Sequence, residues 1–522
     1  MPHDPTSPVT PLGRAPEAAE PEIVSCSFSA TPADADSLPH GDILPRVLRN
    51  SFWLFNSSVV VRLLNLGRTI LLARLLLPED FGLFGLANSV IGFTAIFGDV
   101  GIGTSLIYQH EMDRRYQNTA FWMNFAVISL LLIALIVAAP LVSSIYTRPE
   151  LRLVLIVLAI AFWVQVVGVV HRNLLRRQLR FGALAITEVV ASIASFSVAV
   201  ALAWHGKGVW AFVCALLAAN IASFLSIWIL SRWTPRWEWS HAALKDIGVF
   251  SGWYLAAAIV HYFAYGLDRF LVGKFLGFAV LGPYVLANDL SLALLGSTLL
   301  PIAQSSIPEL ATLRIHPAKF WTSYLQFSRL TALLGFLIAL GVLVATPVLL
   351  PAVFGPNWKA SVVPFQIFVA WIYVRAALGD PCTALGRYDL SFRIGLGLLV
   401  FGSALIPVAL HFGVSWVAVV VSLISLAGVM VSVVLTSSAR QLLDLLRAIS
   451  PFATVATIGA TIGLLAGMLA HRGAPGAYVP LVILVAAVWA GSYALLFRRE
   501  FGQYKSILRL FLPKLNWASR SN

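Results

Sequence analysis

"ARLLLPEDFGLFGLAN", Ala73 to Asn88, lies between two long apolar runs, and "GKFLGFAVLGPYVLAN", Gly273 to Asn288, repeats its plan later in the chain. Each stretch opens on a cation, Arg74 or Lys274, and turns over a few residues. Each then places a glycine, Gly82 or Gly282, ahead of a Leu-Ala-Asn triplet in the same register. The turns Arg74 to Asp80 and Lys274 to Val280 read as short links between the first two helices of two related halves.

The runs on either side are membrane-spanning. The chain of 522 residues is 59% hydrophobic and 11% charged, and about 20 apolar residues rising 1.5 Å each cross a roughly 30 Å hydrocarbon layer. A water-soluble core would instead show shorter amphipathic segments. Runs cut at polar or Pro/Gly-marked turns predict helices near 51–73, 81–107, 119–145, 151–171, 183–204, 208–231, 248–273, 281–304, 321–350, 360–385, 390–410, 413–436, 449–470 and 477–497. The first carries Arg62 and Arg68 and scores poorly on hydropathy alone. Residues 1–45, rich in Pro, Ala, Ser and acidic side chains, read as a disordered tail, with no signal-peptide pattern at the start. Cys26, Cys214 and Cys382 show no metal-ligand spacing and suggest no disulfide framework.

Lys and Arg in the loops and tails divide 24 to 7 when the N-terminus is placed inside. The positive-inside rule then puts both termini in the cytoplasm. The net charge of +13 is on this reading a topology signal, and nucleic acid is not an expected partner.

The echo runs further. Phe121-Trp122 corresponds to Phe320-Trp321, "AAPLVSSIY" (138–146) to "ATPVLLPAVF" (345–354), "LLRRQLRF" (174–181) to "ALGRYDLSF" (384–392), and "HGKGVWA" (205–211) to "HFGVSWV" (411–417). Six helices separate each landmark from its copy, and six is even. The halves therefore enter the membrane in the same direction, as parallel repeats about an axis along the membrane normal. The expected fold is an all-α integral membrane protein of about fourteen helices. It divides into a tail (1–45), an N-lobe (46–240), a C-lobe (241–447), two further helices (448–497) and a C-terminal tail (498–522). Repeated bundles of this kind move against each other and open a shared cavity to alternate sides, which points to a transporter.

Polar side chains inside the spans mark candidate sites. On the first helix, Ser51, Ser58, Arg62, Asn65 and Thr69 share one face at 100° per residue, widened by Arg68. On the seventh, Tyr254, His261, Tyr265 and Asp268 do the same, with Tyr262 and Arg269 beside them. Asp99, Glu188, Asp289, Glu309, Arg329, Arg375 and Asp380 are the other ionisable groups in or near spans. Arg62, Arg68, Arg269 and Arg375 would together cost roughly 10 kcal/mol if left unpaired in hydrocarbon. They need carboxylate partners, a wet cavity or an anionic substrate. Pairing among themselves, for instance Arg269 with a carboxylate, is the structural alternative. Tyrosines on a cavity face suit sugar rings while arginines suit phosphate, although plain helix packing accounts for Tyr254, Tyr262 and Tyr265 as well. His261 has the same two readings.

The stretches "LLARLLLPEDFGLFGLAN" (71–88), "IFGDVGIGTSLIYQ" (96–109), "NTAFWMN" (118–124), "LLRRQLRFGALAITE" (174–188), "GKGVWA" (206–211) and "LDRFLVGKFLG" (267–277), taken in order, give the chain a family resemblance. It resembles the polysaccharide transporters, the Wzx-type oligosaccharide flippases, of the multidrug/oligosaccharidyl-lipid/polysaccharide exporter superfamily. The resemblance implies a bacterial inner-membrane flippase of undecaprenyl-diphosphate-linked oligosaccharide for exopolysaccharide or lipopolysaccharide synthesis, not an enzyme. It implies no cofactor, H+ or Na+ as candidate coupling ions, and polymerase and export proteins as candidate partners. By position in cavity-facing helices, Arg62, Arg68, Arg269 and Arg375 become diphosphate candidates, with Asn65, Tyr254, His261, Tyr262 and Tyr265 as sugar or cavity candidates; since Arg62 and Asn65 in one half become Tyr262 and Tyr265 in the other, a shared cavity would have a cationic wall facing an aromatic one. Asp99 in "FGDVGIG" and Asp268 match recurring family positions and, with Glu188, are coupling or structural carboxylates. The rivals are a lipid II or multidrug exporter of the same superfamily. In a different class stands a membrane glycan polymerase or ligase, for which no nucleophile-base constellation appears.

Overall fold

The computed structural model describes residues 43–98, 114–240 and 252–450, together with position 491. Residues 1–51 and 52–522 separate as two units, and apart from the start of α1 the helices below belong to the second. The predicted tails, the two C-terminal spans and Asp99 fall, a few edge residues aside, outside the described residues.

The described residues are helical throughout, with no strand among them. In the first half the helices are α1 (Ile43–Leu75), α2 (Pro78–Gly98), α3 (Arg114–Ile145), α4 (Glu150–Val167), α5 (Val169–Arg177), α6 (Phe181–Trp204) and α7 (Trp210–Ser231). In the second they are α8 (Gly252–Phe275), α9 (Phe278–Thr298), α10 (Leu300–Thr312), α11 (Pro317–Phe354), a 3-10 turn (Pro356–Ser361), α12 (Val362–Leu378), α13 (Pro381–Leu385), α14 (Tyr388–His411) and α15 (Val414–Thr436). Eleven helical segments among the described residues are long and apolar enough to cross a membrane, and they coincide with the second to twelfth predicted spans. The arginine-bearing α1 is a continuous helix of 33 residues but is not one of the eleven. The predicted 281–304 span breaks at Leu299, because Pro301 in the next turn lacks the N–H that would continue the ladder.

Local chemistry sets the helix starts. Pro78 begins α2 where its missing N–H is not needed, and the Asp80 carboxylate turns back to accept from Leu77 N–H at 3.2 Å. The second half reaches the same turn by another route: Gly277 takes φ +83°, a conformation open to glycine, and α9 begins beside it.

The halves pack on one plan. In the first, α4 packs on α2, α3 and α7, and α6 on α7; in the second, α12 packs on α9, α11 and α15, and α14 on α15. The two meet where α2 lies against α9, the helices that carry the repeated Leu-Ala-Asn. A Cβ on Gly82 would strike the Phe278 carbonyl, and a Cβ on Gly282 would strike that of Pro78. Pro78 and Phe278 are themselves repeat equivalents, so the contact is reciprocal, as a two-fold relation between parallel halves requires. Small residues let the backbones touch, and Leu86, Ala87, Leu286 and Ala287 are buried in the apolar core around the seam.

Candidate functional site

At the end where α1 turns into α2, the halves are joined by a second reciprocal set of contacts. Arg74 donates to the carbonyls of Val353 at 2.9 Å and Ala352 at 2.7 Å, at the end of α11. Lys274, its repeat counterpart, donates to the carbonyl of Ile145 at the end of α3. The Trp358 indole, fully buried, donates to Ala73 O at 2.7 Å and meets Phe81 edge-on, centroids 4.5 Å apart. Tyr146 O–H donates to Phe270 O at 3.0 Å. Burial pushes this phenol up to about 12, so it keeps its donor proton at any physiological pH. Arg148 binds Glu79 and lies over the Phe278 ring at 5.6 Å. We call this set the clasp.

Deeper along the seam opens a cavity of about 530 Å³, within the range of about 300–1,000 Å³ typical of ligand sites. Its walls come from α2, α8, α9, α12 and α15. His261, Tyr262, Tyr265 and Arg269 line it from α8 and Arg375 from α12, so five of the predicted side chains share one space. The Arg375 guanidinium lies over the Tyr265 ring at 5.4 Å and donates to Ser425 Oγ at 3.0 Å. His261 Nδ1 bonds its own helix at Ala257 O, 2.8 Å, and its ring is tilted against Tyr265. Tyr262 O–H donates across the seam to Ser89 O. Arg269 pairs with Asp289 at 2.7 Å.

Arg62, Arg68 and Asn65 do not reach that cavity. Arg62 and Asn65 line a larger, mainly apolar groove of about 980 Å³ between α1, α9 and α11. Arg68 lines, as Asp289 does, a pocket of about 270 Å³ that adjoins the groove, and donates to Ser195 Oγ on α6. A cationic α1 wall opposite an aromatic α8 wall is therefore not what the fold makes. Arg62 lies along an apolar groove and Arg68 in the pocket that adjoins it, and the cavity takes its cations and aromatic rings from the second half. Asp268 is buried, 1% exposed, and accepts from Tyr284 O–H behind the cavity lining. Glu188 is exposed on α6 and lines none of these three spaces. The Tyr254 side chain, like Asp99, falls outside the description.

Three contributors were not picked out from the sequence as site residues. Asn88 and Asn288, the last letters of the repeated triplets, both line the cavity, one from each half. Asp289 follows directly, and its membrane position was the available signal. Of the four arginines, Arg269 alone has a carboxylate partner among the described residues. The site as a whole is thus cationic, with rings beside the charge and an apolar groove alongside.

Residues 71–363 match the polysaccharide biosynthesis protein family. The chain belongs to that family. Among curated relatives, the teichuronic acid biosynthesis protein TuaB of Bacillus subtilis is 24% identical over 73% of this chain and 81% of its own length. The lipopolysaccharide biosynthesis protein WzxC of Escherichia coli is 22% identical over 76% and 83%. The succinoglycan biosynthesis transport protein ExoT of Rhizobium meliloti is 24% identical over 69% and 72%. The fold is that of the lipid II flippase MurJ in an inward closed conformation, with TM-score 0.64 and 12% identity over 87% of this chain and all of that one. It is shared with an inward-facing multidrug MATE transporter, TM-score 0.57, 16% identity, 76% and 96% covered. The chain is thus a multi-span membrane protein of a polysaccharide biosynthesis family on a transporter fold.

Proposed function

We propose that this protein flips undecaprenyl-diphosphate-linked oligosaccharide across the bacterial inner membrane, from the cytoplasmic to the periplasmic leaflet, with both termini cytoplasmic. The observation that carries the proposal is the placement of Arg269 and Arg375 beside Tyr262, Tyr265 and Trp371 in one cavity. A guanidinium holds phosphate oxygens in its planar fork, and aromatic faces suit the apolar faces of sugar rings. A diphosphate and its sugars cannot cross hydrocarbon unaided, whereas a polyprenyl tail is at home there. Only the headgroup needs enclosing, and the apolar groove along α1, α9 and α11 gives the tail a path beside it.

With the termini inside, α1 runs outward and the clasp faces the periplasm. The described arrangement is then one that is shut outside. Rocking of the halves would break the clasp and present the headgroup to the other leaflet. A proton or sodium gradient would bias the cycle through a membrane carboxylate, with Asp268 the first candidate. The relatives named for teichuronic acid, lipopolysaccharide and succinoglycan synthesis support the glycan class. The mid-membrane arginines favour an anionic cargo over the organic cations of a multidrug exporter, and the absence of a nucleophile-base arrangement among the cavity residues favours transport over polymerisation.

Deletion of the gene in its native host, followed by leaflet-resolved analysis of lipid-linked oligosaccharide, tests this. The expected result is loss of polymer with a lipid-linked repeat unit accumulating on the cytoplasmic leaflet. Loss of polymer without that accumulation would count against flipping.

A further inference from the structure

The Arg269–Asp289 pair sits at a partition. Arg269 lines the cavity, whereas Asp289 lines the smaller pocket on the other side, which shares Thr69, Leu290 and Ala293 with the apolar groove. The pair thus ties a residue of the cavity wall to a residue of the pocket that adjoins the groove. Arg68 lines the same pocket from the other half of the protein and, among the described residues, donates to a neutral hydroxyl, that of Ser195. A single carboxylate, bonded to one arginine, thus shares its pocket with a second.

The pair is not demanded by the repeat. Two hundred positions earlier the same sites hold Thr69 and Ser89, and α1 and α2 form without a charge at either. Nor is it locked in place: the Asp289 side chain is 55% exposed and that of Arg269 16%. The carboxylate end of the pair is therefore open to an arriving anion, while the guanidinium stays in the wall. A phosphate group offers the same guanidinium more oxygens and more charge.

We infer that Asp289 is an internal competitor for the diphosphate: it occupies Arg269 in the empty site, yields it to the arriving lipid diphosphate, and reclaims it as the lipid leaves. This rests on the flippase reading and adds a release device to it. Without such a competitor, the cations that capture a diphosphate would also hold it back.

The test uses the full-length protein in detergent, with farnesyl diphosphate as the probe and titration calorimetry as the readout. Asp289→Asn should bind farnesyl diphosphate roughly five-fold more tightly than the native chain and flip more slowly in liposomes. Asp289→Ser, which installs the residue of the first half, should do the same and guards against an asparagine-specific folding defect. In an Arg269→Ala background, Asp289→Asn should change nothing. Unchanged or weaker binding in both Asp289 variants would overturn the inference, and so would tightening that persists without Arg269. Inorganic diphosphate should bind Asp289→Asn at least roughly ten-fold more weakly than the farnesyl ester, since it gains nothing from the groove; equal affinity would overturn the assignment to a lipid. Failure of the flippase reading looks different: Arg269→Ala alone would then bind the probe like the native protein.

Discussion

Gly82 and Gly282 stand backbone against backbone at the seam between the halves. A Cβ on either would lie 3.0–3.2 Å from the other's amide nitrogen and run into a carbonyl of the facing turn. The contact is made twice, once in each direction, so neither glycine can be enlarged without parting α2 from α9. Gly82→Ala and Gly282→Ala should each destabilise the described arrangement by about 1–3 kcal/mol, the usual cost of overpacking. The two losses should be alike, because the positions are equivalent. Thermal unfolding in detergent checks this, and a marked inequality would argue against a two-fold seam.

The clasp predicts cooperation between distant cations. Arg74 and Lys274 each bridge to backbone carbonyls of the opposite half, and a hydrogen bond from a charged donor contributes roughly 1.5–3 kcal/mol. Arg74→Ala or Lys274→Ala alone should open that end modestly, and the double variant should open it roughly ten-fold or more. Val285, buried against Gly85, supplies the reporter. In a chain with its three native cysteines replaced by serine, labelling of Val285→Cys by an impermeant maleimide should rise in that order.

Arg375 joins charge to geometry. It lies over Tyr265 at 5.4 Å and donates to Ser425, so Lys keeps the charge and loses the planar fork. Arg375→Ala should lower flipping by at least about ten-fold, the effect of losing one charge-assisted contact of about 1.5–3 kcal/mol. Arg375→Lys should fall between Ala and native. Equal rates for Lys and Arg would mean that the planar fork contributes nothing to function.

Asp268 is buried, accepts from Tyr284 O–H and lines none of the three spaces, so a part in the proposed coupling would not pass through contact with the sugar. Asp268→Asn should flip slowly and lose its response to an imposed gradient. Tyr284→Phe, which removes the phenol and keeps the ring, should retain that response at a reduced rate. If Asp268→Asn keeps both the native rate and the native gradient dependence, the residue has no part in coupling.

Much of the architecture was legible because hydrophobic length and repeat spacing are local signals. The Leu-Ala-Asn triplets announced two halves, and the residues around them, Gly82 and Gly282, form the seam. Which polar face meets which cavity was less legible. Arg62 and Tyr262 occupy equivalent positions in the two halves, and equivalence suggested opposite walls of one space. With α2 packed on α9, α1 lines a groove with α9 and α11 instead, so Arg62 faces that groove while Tyr262 reaches Ser89. Such a shift depends on packing between segments far apart in the chain, and helical periodicity carries no trace of it. Asp289 went unselected for the same reason, since its meaning comes from Arg269 and Arg68 on other helices.

The central claim is that the cavity carries a lipid diphosphate glycan across the membrane without altering it. Purified protein in liposomes, supplied with a labelled undecaprenyl-diphosphate oligosaccharide from the native host, tests it directly. The account predicts protein-dependent transfer of the label to the other leaflet at unchanged mass, abolished by replacing Arg269 and Arg375 together. A changed mass, or transfer indifferent to both arginines, would contradict it.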